Sequence, residues 1–130
     1  MRPVWSVLCK NALIDKTSNN LTLIEVVEQV NISSQPDTKE KKQSVPSLLS
    51  FTWVTLWVRN EYDVAEKETV RDVVVSPSGK EIISKEHELD LTEYQRFRMK
   101  RLLGPSLFSE EGTYSFQVQQ CTGENWNTVS

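Results

Sequence analysis

The chain has 130 residues, of which 25% are charged and 38% hydrophobic, and it carries a formal net charge of -3. This length and balance are typical of one globular domain and exclude a fibrous, low-complexity or wholly disordered chain. The acidic balance also excludes a surface built throughout for a polyanion, because phosphate binding depends on clustered Lys and Arg.

The amino-terminal sequence does not match a targeting segment. Lys10, Asn11 and Asp15 interrupt its apolar residues before they resemble the core of a signal peptide. No apolar run approaches the roughly 18 to 20 residues that a membrane helix requires. We therefore expect a soluble, cytoplasmic protein without membrane contacts. We expect Cys9 and Cys121 to be reduced, although terminal strands of a sandwich could bring them together.

Two strands are predicted in the first 32 residues. Alternation over Val4 to Ala12 predicts a strand with Trp5, Val7 and Cys9 facing inward. After a polar turn, the β-branched residues of the segment from Leu21 to Ile32 favour a second strand, although a helical spacing also fits.

The next segment, residues 33–45, has no apolar face and contains Lys39, Lys41 and Lys42. Such a composition predicts an exposed, charged loop. The loop is either a solvated connection or a site that contacts a protein partner.

The most apolar segment, from Ser47 to Arg59, is predicted to be a central strand covered on both faces. Trp53 and Trp57 lie on one side of it, and four Trp exceed what a core of this size obviously needs. Either these side chains fill the core, or some of them reach the surface and bind a partner or a second copy.

A β-hairpin is predicted over residues 69–89. Two β-branched segments flank Pro77-Ser78-Gly79, in which Pro presets its φ angle and Gly tolerates a positive one. Such a turn favours antiparallel pairing of the flanking strands.

The segment from Leu91 to Leu103 contains QRFRMKR and admits two interpretations. A helix would place Tyr94, Phe97 and Arg101 on one face. A strand, which we favour, puts Phe97 and Met99 inward and three cations outward, namely Arg96, Arg98 and Lys100.

Residues 113–122 predict a further half-buried strand. Seven or eight short strands with regular turn signals predict one all-β domain over residues 1–130. Its expected architecture is an antiparallel β-sandwich, immunoglobulin-like or similar, with at most one short helix.

Several motifs together resemble a family of small bacterial β-sandwich proteins of unknown function. They are Leu8-Cys9, Pro46, the Ser76-Pro77-Ser78-Gly79 turn and Gly112-Thr113-Tyr114-Ser115-Phe116. The resemblance covers nearly the whole chain and implies a fold without an activity, so it supplies no catalytic residue.

The residue inventory favours a non-enzymatic protein without metal or cofactor. His87 is the one imidazole, and it alternates with Glu86 and Glu88 along a predicted strand, which separates it from both carboxylates. The inventory cannot fill a usual Cys and His zinc site, and no phosphate-binding glycine loop is present in the sequence.

Two functions remain as hypotheses. The first is a protein-binding or assembly module that could form a homodimer, and its candidate contacts are Trp53, Trp57, Lys39, Lys41 and Lys42. The alternative is nucleic-acid binding through the basic face at 94–101. Cations about 7 Å apart on this face could contact phosphates, and Tyr94 could stack on a base. The candidate residues are Tyr94, Arg96, Arg98 and Lys100. Against this alternative, Glu81, Glu86 and Glu88 of the hairpin could pair with the same cations.

Overall fold

A computed structural model describes residues 1–28 and 50–130. Its elements, in chain order, are eight strands and one short 3-10 turn at Pro105–Leu107: β1 (Arg2–Ile14), β2 (Leu21–Val26), β3 (Phe51–Val58), β4 (Glu66–Val75), β5 (Glu81–Leu91), β6 (Arg96–Leu103), β7 (Ser115–Thr122) and β8 (Asn125–Thr128). Within these two ranges, no helix is long and apolar enough to cross a membrane.

The strands form two four-stranded antiparallel sheets. Sheet A has the order β2-β1-β3-β6 and sheet B the order β5-β4-β7-β8. The predicted β-sandwich is confirmed. Its buried core draws side chains from both sheets: Met1, Phe51, Trp53, Trp57, Val70, Val74, Leu89, Leu91, Leu103 and Val118.

Strand β3 is the central strand that its apolar sequence predicts. Trp57 is 0% and Trp53 3% exposed, both inside the sandwich. The indole nitrogen of Trp53 donates to Ser6 Oγ at 2.6 Å, and its ring meets Phe116 of sheet B edge-on at 5.4 Å. The two tryptophans are therefore core residues, and their candidacy as protein contacts is wrong because they fill the space between the sheets.

The predicted hairpin is also present, as β4 and β5. Gly79 has the positive φ, 84°, that the turn requires, and its amide donates to the carbonyl of Ser76 at 2.9 Å. The Ser76 amide donates to Lys80 across the same turn at 2.8 Å.

The direction predicted for the β1 side chains is wrong. Val7 lies opposite Val54 and Trp5 opposite Leu56, on the outer face of sheet A, whereas Leu8 packs against the core. Alternation shows which residues share a face, but not which face points into the sandwich. Cys9 and Cys121 are both free thiols and lie in different sheets.

The predicted charged loop at 33–45, with Lys39, Lys41 and Lys42, lies outside the described residues. So does the end of the predicted second strand beyond Glu28.

Candidate functional site at the β5 and β6 edges

One side of the sandwich is formed by two edge strands that follow each other in the chain. Strand β5 ends the order of sheet B, and β6 ends that of sheet A. Residues 92–95 connect them directly, so both edges lie on the same side of the molecule. We call this surface the β5–β6 side.

Strand β6 has the alternation that its sequence predicts, and the helical interpretation is wrong. Phe97 lies opposite Trp57 on the inner face, and Arg101 lies opposite Trp53 on the same face. Arg96, Arg98 and Lys100 point outward, opposite Val58, Leu56 and Val54. Tyr94 lies in the bend before the strand and is 66% exposed.

Two of the outward cations already bind the chain's own backbone. Lys100 Nζ donates to the carbonyl of Ala12 at 2.9 Å, and Arg98 Nη2 donates to the carbonyl of Asn19 at 2.8 Å. Arg96 is exposed and has no hydrogen bond or ion pair to a side chain within residues 1–28 and 50–130. The predicted pairing of these cations with Glu81, Glu86 and Glu88 is not found in the described residues, because β5 and β6 belong to different sheets.

These contacts show that the end of the β1–β2 hairpin folds over the outer face of sheet A. Lys100 is opposite Val54, which is opposite Val7. A straight β1 would carry Ala12 about 17 Å beyond Val7 at roughly 3.4 Å per residue. The observed contact therefore requires a bend, and pairing is irregular where Glu25 has a φ of 51°. We call residues 10–25 the arm.

A second apolar cluster lies beneath the arm. Cys9, Ala12 and Val54 are buried there, with Leu21 and Leu23 packed against them. The thiol of Cys9 donates to the carbonyl of Thr52 at 3.4 Å. Burial raises the pKa of that thiol, against an opposite effect of the Lys100 charge, so Cys9 is a protonated packing residue.

The inner face of β6 contributes to an ion pair that joins the sheets. Arg101 donates from Nε and Nη2 to Asp72 Oδ2 at 3.0 and 2.7 Å. His87 Nε2 lies 2.5 Å from Arg101 Nη2 and 3.5 Å from the same Asp72 oxygen. Asp72 is 1% exposed, and its Oδ1 has no hydrogen-bond partner within the described part of the chain.

The protonation state of His87 follows from these neighbours. Arg101 can only donate, so Nε2 accepts and the neutral ring carries its proton on Nδ1. Burial lowers the pKa of His87, the positive charges of Arg101 and Lys85 lower it further, and Asp72 acts in the opposite direction. The ring of His87 points into the sandwich, whereas Glu86 and Glu88 are exposed on the other face of the strand, as the alternation predicts.

The sequence contains a signal for Asp72 that the sequence analysis above does not use. Asp72 alternates with Val70 and Val74, and all three face the core. A carboxylate on the same strand face as buried valines is itself buried, and a buried charge requires a partner. The partner itself, on a strand of the other sheet, is not visible in the sequence.

The outer face of β5 is acidic. Glu88 is 64% exposed and Asp90 49%, and Lys67 Nζ approaches them at 2.8 and 3.6 Å. Lys67 lies on β4, so it reaches these carboxylates from within sheet B. The β5–β6 side therefore has an acidic edge next to a basic edge.

A shallow groove of about 390 Å³ also borders β5, lined by Lys67, Glu68, Thr69, Glu88 and Cys121. Among the described residues, no three His, Cys, Asp or Glu are grouped as metal ligands would be. Lys67 and Glu88 of the groove pair with each other, and Glu68 pairs with the amino terminus of Met1, so we assign the groove no ligand.

No family model, curated protein or solved structure matches the chain. The resemblance to small bacterial β-sandwich proteins stays a prediction, and function must be argued from the residues of the chain itself.

Proposed function

We propose that the protein is a non-enzymatic binding or assembly module and that the β5–β6 side binds protein. The observation that supports this proposal is the presence of two long, adjacent strand edges of opposite charge. Strand β5 has 11 residues and β6 has 8, whereas the edge strands on the opposite side, β2 and β8, have 6 and 4.

Open strand edges bind protein readily, because their unpaired backbone groups can extend the sheet with a strand from another chain. Short edge strands limit such pairing. Phe97 adds apolar surface at the longer edges, since its side chain is 41% exposed although it belongs to the inner face.

The single imidazole supports the non-enzymatic part of the proposal. His87 accepts a hydrogen bond from Arg101 inside the sandwich, so its Nε2 is occupied. A nucleophile would require a base within hydrogen-bond reach. We also propose a cytoplasmic location, which the free thiols of Cys9 and Cys121 support.

A matched pair of variants tests the proposed surface. Phe97→Glu places a charge on the β5–β6 side, and Leu13→Glu changes a residue of similar exposure, 50%, on the arm. We expect Phe97→Glu to weaken protein binding at least tenfold, because it buries a charge in the interface, and Leu13→Glu to leave binding unchanged. Binding is measured with purified components by light scattering for a second copy and by calorimetry for any other partner.

The proposal fails if the folded wild-type protein associates with neither itself nor a purified partner. It also fails if Leu13→Glu abolishes association while Phe97→Glu preserves it, since the contact surface would then be the arm.

Nucleic-acid binding is the second candidate, favoured by the exposed Tyr94 and Arg96 at the start of β6. The acidic outer face of the neighbouring β5 weakens it, because the exposed Glu88 and Asp90 would repel a phosphate backbone.

A further inference from the structure

We propose that the protein bound by the β5–β6 side is a second copy of this chain. In the dimer, a two-fold axis runs parallel to the strands, and β5 of each copy pairs with β6 of the other. This inference rests on the proposed function and identifies its partner. Sheet A of one copy then continues into sheet B of the other, which gives two continuous eight-stranded sheets across the interface.

The direction of the axis follows from charge. A two-fold axis perpendicular to the sheets would pair β6 with β6. Any such register centred on residues 96 to 100 sets one outward cation, Arg96, Arg98 or Lys100, opposite another. Like charges directly opposite are destabilising. An axis parallel to the strands instead places the basic face of β6 beside the acidic face of β5.

The direction of the strands agrees with this axis. Strand β6 returns from β5 through a short connection, so the two strands run in opposite directions within one copy. Rotation about an axis parallel to the strands preserves each direction. Strand β5 and the β6 of the second copy are therefore antiparallel, and outer faces meet outer faces.

The register follows from two observations. Arg101 contacts His87 and also Asp72, which lies opposite Lys85, so Arg101 lies between the heights of Lys85 and His87 within one copy. The connection at 92–95 is centred between Glu93 and Tyr94 and agrees with that height. A register that set Lys85 opposite Arg101 would bring like charges together, so the proposed register sets His87 opposite Arg101 and Leu91 opposite Phe97. A two-fold rotation leaves heights along its axis unchanged.

On the outer face, this register sets Glu88 opposite Lys100 of the second copy and Asp90 opposite Arg98 of the second copy. Glu88 and Asp90 keep carboxylate oxygens accessible, because they are 64% and 49% exposed. Arginine has five donors and lysine three, so the contacts of Arg98 and Lys100 with the arm leave donors for the pairing.

On the inner face, the same register sets Leu89 opposite Met99 and Leu91 opposite Phe97 of the second copy. The half-exposed ring of Phe97 then gains an apolar neighbour. His87 comes beside Arg101 of the second copy, where a neutral imidazole avoids repulsion.

Disulfide trapping tests this register. In a Cys121→Ser background, we combine Glu88→Cys with Lys100→Cys. Within one copy these positions lie on the outer faces of different sheets, about 10 Å or more apart, which exceeds disulfide reach. In the proposed dimer they are directly opposite, so oxidation is expected to give a covalent dimer.

Three control variants accompany the trap. Glu88→Cys alone and Lys100→Cys alone should remain uncrosslinked. In the proposed dimer, residue 88 of one copy is far from residue 88 of the other, and the same holds for residue 100. Glu86→Cys combined with Lys100→Cys is displaced by two residues, about 7 Å, and should crosslink far less.

A charge exchange provides a second test. Glu88→Lys and Lys100→Glu should each weaken dimerisation about tenfold, because each creates two like-charge contacts per dimer. The double variant restores attraction and should dimerise like the wild type. Loss of the Lys100 contact with Ala12 cannot explain such a rescue, since the double variant lacks that contact too. Light scattering over a concentration series measures all four proteins.

The inference is overturned if the wild type stays monomeric over the series and the 88/100 pair gives no specific crosslink. It is also overturned if the displaced 86/100 pair crosslinks equally well. A monomer that still binds another protein in a Phe97-dependent way would disprove the dimer and leave the proposed function standing. A monomer without any partner would disprove both.

Discussion

At the residue scale, the buried ion pair between Asp72 and Arg101 is costly to break. Removing one partner of a buried pair typically costs about 3 to 5 kcal/mol, because the remaining charge is left uncompensated. Asp72 is almost completely buried, and Arg101 reaches it from the other sheet. The pair therefore disfavours any arrangement in which β6 shifts along sheet B.

His87 gives this cluster a pH dependence. The pKa of His87 is lowered in the folded state, so the unfolded chain takes up a proton first as the pH falls below about 6.5. The free energy of unfolding is therefore not reduced by His87 above about pH 6.5, and it decreases as the pH falls towards the pKa of His87 in the folded protein. We expect urea midpoints of the wild type to fall between about pH 7 and pH 5.

His87→Gln is the matched variant, because its amide oxygen can still accept from Arg101 while it does not titrate. Its urea midpoints should be flatter than those of the wild type over the same range. Parallel pH profiles for the two proteins would contradict the role of His87, whereas carboxylates such as Asp90 affect both proteins equally.

At the element scale, alternation predicted local structure well where a strand is regular. The faces of β6 and the turn at Gly79 were predicted because each depends only on neighbouring residues. The inward direction assigned to Trp5 was wrong, since the outer face of sheet A is also covered. What covers it is the arm, and no local pattern reveals a hairpin that bends back over its own sheet.

The arm itself can be tested by hydrogen exchange. Ala12 is 1% exposed at the contact between the arm and Val54, so Ala12→Glu buries a charge there. We expect amide exchange at residues 21–24 to become at least tenfold faster, while β4 stays protected. Leu13→Glu, one residue away and already half-exposed, should leave the exchange rates of the arm unchanged. Equal effects of the two variants would show that the arm is not held in this way.

At the scale of the whole molecule, the number of strands and the absence of long helical patterns predicted the sandwich. The strand order was not predictable, because β1 pairs with β3 across a long intervening segment and sequence alone does not rank such distant pairings. The candidate functional site could not be predicted either, because its position depends on that strand order. The β5–β6 side exists only because two consecutive strands end different sheets, which the prediction of a basic strand could not include.

The charge of the whole molecule argues against the nucleic-acid alternative. A net charge of -3, together with the acidic outer face of β5 beside β6, should repel a nucleic-acid backbone. We expect a labelled single-stranded oligonucleotide to show no binding above background at about 50 mM salt, in fluorescence anisotropy with the wild type or with a variant carrying Glu at 96, 98 and 100. Binding that weakens steeply with salt and drops in both Arg96→Glu and Tyr94→Ala would reverse this conclusion. Those two residues are exposed and outside the contacts that hold the arm, so their loss would report the nucleic-acid surface rather than misfolding.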